Sequence, residues 1–106
     1  LNPYTASADG VKSADFTYQR VGRIVTVNVN IVFNESTKSQ VMFNSLPYVC
    51  KNTVSPRELC VSSINVTHIW QIYKNNTSLY IYPNSPSEFG FKENETLAFT
   101  LSYLVS

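Results

Sequence analysis

Among the residues able to do chemistry, His68 and Trp70 form the most informative pair, because they stand two positions apart in a run of alternating character, Ser63 to Tyr73. On a strand, an i, i+2 spacing puts imidazole and indole on one face. An aromatic plane beside a neutral hydrogen-bonding group suits the apolar face and hydroxyls of a sugar. Ile64, Val66 and Ile72 share that parity, so the same face is also read as core or subunit interface. The opposite face carries Gln71 and Tyr73 on one strand and Tyr80 and Tyr82 on the next. It reads either as a sugar platform or as cross-strand aromatic packing. His68, Trp70, Tyr80 and Tyr82 are the candidate saccharide-binding residues.

Catalysis finds little to stand on. The seven carboxylates, Asp9, Asp15, Glu35, Glu58, Glu88, Glu93 and Glu95, fall mainly in predicted loops or at strand ends and show no paired spacing. A cysteine nucleophile with His68 as base is possible on composition, but no local signature accompanies either cysteine. Gly10, Gly22 and Gly90 are too sparse for a phosphate loop. One histidine and two cysteines are too few for a zinc centre. The expectation is a non-enzyme with no cofactor and no metal. Cys50 and Cys60 enclose nine residues; the spacing allows a disulfide in a secreted protein and two thiols in a cytoplasmic one.

The element that must position any site is announced by Arg23 to Phe33. Val25, Val27, Val29, Ile31 and Phe33 alternate with Thr26, Asn28 and Asn30, the period of a strand with one buried face. Similar runs recur to the C-terminus, and no segment keeps a helical period. A first strand is expected near Phe16 to Arg20, stopped at Val21-Gly22, and another over Val41 to Leu46, stopped by Pro47. Asn34 to Ser39 reads as a polar loop, Pro47 to Glu58 as the most irregular stretch, and Asn84 to Asn94 as a loop with Pro86 and Gly90. Strands near Ser63 to Tyr73 and Ser78 to Tyr82 form a hairpin about Lys74-Asn75-Asn76-Thr77. A two-residue turn there sets Ile72 opposite Leu79, Trp70 opposite Ile81 and Gln71 opposite Tyr80. Leu97, Phe99, Leu101, Tyr103 and Val105 form one face of a last strand. The fold class is all-β, a small antiparallel barrel or sandwich of about six to seven strands.

The 106 residues suit one domain, with Leu1 to Ala14 read as an arm or linker and residues 15–106 as the β domain. A net charge of +1 with scattered Lys and Arg gives no field for nucleic acid. The 11 Asn, 13 Ser and 9 Thr make a neutral, hydrogen-bonding surface instead. No apolar run is long enough to span a membrane, and the first residues lack a signal-peptide pattern. Asn34, Asn65, Asn75, Asn76 and Asn94 each open an Asn-x-Ser/Thr sequon. About two would arise by chance at this composition, so the five are read mostly as compositional, with a glycosylated extracellular protein as the alternative.

The order of YQRVGRIVTVNVNIVF, MFNSLPY, VSPREL, HIWQIYKNNTSLYIYP and FTLSYLVS resembles the C-terminal domains of phage tail fibres and baseplate proteins. It is most similar to the receptor-binding head of lactococcal siphophages. The resemblance runs from about Phe16 onward. It implies an antiparallel β-barrel head, homotrimeric through an upstream neck that meets other tail or baseplate proteins. Such a head attaches the virion to host cell-wall saccharides without cleaving them, and acts outside the cell at the phage tail tip. It favours His68 and Trp70 as sugar contacts near subunit boundaries. No Asp follows Asp15, so an acidic contact of the family's kind would come from Glu or another subunit, and the two cysteines are not part of the pattern. The competing expectation is a secreted or cell-surface β-sandwich, glycosylated and disulfide-bonded, that binds another protein.

Overall fold

The computed structural model describes residues 2–5, 8–37, 40–44, 46–52, 54–85 and 90–106, with the backbone path alone for 2–5 and 54–59. Of the expected loop residues, Lys38, Ser39, Thr53, Pro86, Ser87, Glu88 and Phe89 lie outside these. The described residues form eight strands and no helix: β1 (Asn2–Thr5), β2 (Val11–Val21), β3 (Ile24–Phe33), β4 (Val41–Phe43), β5 (Val54–Val61), β6 (Thr67–Ile72), β7 (Leu79–Pro83) and β8 (Thr96–Leu104). They make two four-stranded antiparallel sheets, ordered β1-β2-β3-β8 and β4-β7-β6-β5. Among the described residues no strand pairing joins the two sheets, so of the two expected architectures the chain adopts the sandwich and not a closed barrel.

The alternation of β3 is realised residue by residue. Val25, Val27, Val29, Ile31 and Phe33 are at most 1% exposed, and the residues between them face outward. Phe16 and Ala14 from β2, and Leu97, Leu101 and Tyr103 from β8, complete the inner layer of the first sheet. Val41, Phe43, Trp70, Ile72, Leu79 and Ile81 supply the facing layer, with Phe16 against Phe43 at a ring separation of 5.1 Å. Burying these apolar side chains between the sheets is the main stabilising term.

Two strands exceed the expected count. β1 lies within the segment read as an arm: its polar, proline-bearing sequence gives no apolar period, yet Asn2 to Thr5 pair with Tyr18 to Asp15 at the sheet edge. Proline is tolerated there because an edge strand has one row of unladdered amides. β5 occupies the end of the segment read as irregular. It contains Pro56, and its register with β6 shifts between Val54 and Glu58, so it too is an edge strand with an irregularity where proline falls.

The hairpin of β6 and β7 has the expected register: Trp70 opposite Ile81, Gln71 opposite Tyr80 and Ile72 opposite Leu79. Its first strand starts later than Ser63, because Ser62 to Val66 close a turn in which Asn65 takes φ 62° and its amide donates to the Ser62 carbonyl. Asn75 and Asn94 also have positive φ. Three sequon asparagines therefore occupy left-handed turn positions, which a short polar side chain adopts more readily than a branched one.

Candidate functional site

The two faces of β6 have different fates. His68, Trp70 and Ile72 point between the sheets. His68 is 0% exposed, and its Nε2 lies 2.9 Å from the Glu95 carboxylate, which is itself buried. The imidazole is parallel to the Phe91 ring at 5.7 Å and faces Phe33 at 6.0 Å. Glu95 also accepts the Lys92 backbone amide at 3.2 Å through its other oxygen. A carboxylate only accepts, so Nε2 donates to Glu95, and His68 Nδ1 has no hydrogen-bond partner among the described residues. Trp70 is 6% exposed and stacks on Phe99 at 5.9 Å. Neither side chain presents a surface to a sugar. The saccharide role expected for His68 and Trp70 is corrected here: the Ile72 parity they share is the parity of the core.

Tyr80 and Tyr82 lie on the other face and are half-buried, open to solvent on one side. The alternation of β6 and β7 places them beside Gln71 and Tyr73, and the Gln71 amide and the Tyr73 and Tyr82 hydroxyls form a connected set. Gln71 Nε2 donates to the Tyr73 hydroxyl at 2.7 Å, and the Tyr82 hydroxyl donates to Gln71 Oε1 at a longer 3.3 Å. Tyr73 and Tyr80 meet edge to face, ring centroids 5.4 Å apart, with Tyr73 45% exposed. The carboxamide is thus held at both ends, which fixes its orientation between three aromatic rings. Met42 extends the surface, because β4 pairs with β7 and sets it opposite Tyr80. Its outward parity was readable in Val41 to Leu46, but its neighbour was not, since strand order is not written in a single strand's pattern.

Such a surface offers aromatic faces to apolar C–H groups and has hydroxyls and an amide at the rim. It has no nucleophile beside a base. Among the described residues no three His, Cys, Asp or Glu side chains gather as a metal centre. Cys50 and Cys60 are not bridged. Cys50 exchanges backbone hydrogen bonds with Asn75 and Asn76 at the β6–β7 turn, whereas Cys60 is in register with His68 near the far end of β6. Burial pushes the Cys60 thiol up to about 11. Comparison with protein-family models, curated proteins and solved structures returned no match for this chain.

Proposed function

We propose that this chain is a non-catalytic receptor-binding head that attaches a phage virion to a host cell-wall saccharide, with the contact made by Gln71, Tyr73, Tyr80 and Tyr82. The observation that carries the reading is the outward aromatic and carboxamide surface of β6 and β7, oriented internally by hydrogen bonds and built without charge. Sugars are amphipathic and neutral or weakly charged, so a surface of rings and fixed hydroxyls binds them without desolvating an ion. The antiparallel β architecture and the sequence resemblance to phage heads support the same reading.

On this proposal the head works as a homotrimer displayed at the tail tip, joined to other tail or baseplate proteins through a neck. A single sugar buries little area, so each site is weak, with millimolar to high-micromolar affinity, and linked heads gain avidity through effective concentration. The competing reading, a disulfide-bonded secreted sandwich, needs a Cys50–Cys60 bridge, and the two residues sit at opposite ends of the second sheet.

The test is co-sedimentation with purified cell walls from a panel of Gram-positive bacteria. The wild-type chain is expected to sediment with at least one preparation, and the Tyr73→Ala/Tyr80→Ala variant to lose at least tenfold in bound protein while keeping its fold. Binding that survives in the variant, or absence of binding to every preparation, contradicts the proposal.

A further inference from the structure

The outward face of the first sheet carries rows of small polar side chains, some hydrogen-bonded across strands and some not. Where Thr17, Asn28 and Thr100 stand in register, Asn28 Nδ2 donates to Thr17 Oγ1 at 3.2 Å and Thr100 Oγ1 donates to Asn28 Oδ1 at 2.8 Å. In the row toward the β2–β3 turn, Thr26 and Ser102 share a hydrogen bond at 3.1 Å. The first of these rows satisfies itself.

The row on the other side runs from Thr5 of β1 through Asp15 and Asn30 to Ala98, and the side chains of the last three are described. All three are exposed, and the Asp15 carboxylate and Asn30 carboxamide make no hydrogen bond or ion pair with any described residue. The nearest basic side chain along β2, Lys12, is engaged with Asn94 at 3.0 Å. On the β8 side, where Thr100 closes the neighbouring row, there is only the Ala98 methyl. The gap opens two adjoining depressions of about 400 and 190 Å³ that share Asn30 and Ala98; one reaches Asn28 and Thr100, the other Asp15 and Thr96.

We infer that this row is a second saccharide subsite, which takes the vicinal diol of a pyranose. A carboxylate accepts from two hydroxyls, and a carboxamide both donates and accepts, so the pair satisfies two adjacent O–H groups with directional bonds. The Ala98 methyl and the half-buried Val32 beside it offer apolar contact for ring C–H groups. A simple ammonium would use Asp15 and leave the Asn30 amide donor idle, which is why the match is to a polyol and not to a cation. The site lies on the opposite sheet from the tyrosine surface and does not depend on it; two sites on one domain would let neighbouring sugars of one polysaccharide engage both sheets.

The experiment is an amide ¹⁵N–¹H titration of the whole chain with methyl α-D-mannopyranoside, methyl α-D-galactopyranoside and methyl α-D-glucopyranoside. Ethylammonium chloride and a fully O-methylated glucoside serve as controls. The expected result is saturable movement of the Asp15, Asn30, Ala98 and Thr100 amides with at least one sugar, at a millimolar dissociation constant. In Asp15→Ala/Asn30→Ala, whose changes are confined to exposed side chains, that movement should weaken at least tenfold while the rest of the spectrum is kept. No movement in this row, equal movement with either control, or indifference to the double substitution overturns the subsite. If the Tyr73 and Tyr80 amides move when this row does not, the subsite fails and the tyrosine reading stands.

Discussion

His68 and Glu95 act as one buried unit, a hydrogen-bonded pair pinning β6 to the residue that precedes β8. Removing His68 strips the buried Glu95 carboxylate of its side-chain donor and leaves it the Lys92 backbone amide, a costly remnant in the core. His68→Ala is therefore expected to destabilise the fold by about 3–5 kcal/mol, read as a lower urea midpoint. A midpoint within about 0.5 kcal/mol of wild type would show that the pair is not buried as described. The same residue shows how far single positions were legible. Alternation placed His68 and Trp70 on one face of a strand, and the structure keeps them there. What the pattern lacked was Glu95, 27 residues away in sequence, whose carboxylate gives the imidazole its partner between the sheets. A neutral polar residue in an apolar row reads as a site until that partner is known.

At the scale of elements, turns decided where strands begin. Asn65 interrupts a run of apolar alternation that would otherwise extend β6 back to Ser63, because its positive φ closes the β5–β6 connection. Asn65→Gly should be tolerated, since glycine accepts that conformation freely, while Asn65→Val is expected to cost about 1–2 kcal/mol through Cβ strain. Thermal denaturation of the two variants separates them, and equal melting temperatures would refute the turn's role. The long strands β3 and β8, the Phe16 to Arg20 part of β2 and the β6–β7 register were readable because one face of each is buried and a slip by one residue would expose it, whereas β2 begins at Val11, inside the segment read as an arm. The edge strands β1 and β5 were not, because their hydrogen bonds are fixed by neighbours and their prolines mimic loop composition.

For the whole molecule, the alkaline limit of stability follows from two buried acids. Burial pushes Tyr103 from its ordinary 10.0 up to about 12 and Cys60 from 9.0 up to about 11. The folded chain keeps these protons at a pH where the unfolded chain has released them, so the unfolded state binds fewer protons and stability falls as pH rises. Their contribution is flat below about pH 9, declines from there to about pH 12, and then levels off. Urea midpoints measured across pH 8 to 12 should show that decline, with Cys60→Ser removing its lower part. A midpoint that rises over the window would reverse the assignment.

The proposed attachment function turns on whether the outward tyrosine face of the second sheet binds saccharide. The decisive measurement is calorimetric titration of the chain with polysaccharide extracted from a cell wall to which it binds, comparing wild type with Tyr73→Ala/Tyr80→Ala. Saturable binding by wild type, weakened at least tenfold in the folded double variant, is the predicted result. Equal affinity in the two proteins would show that the tyrosine surface is not the attachment site.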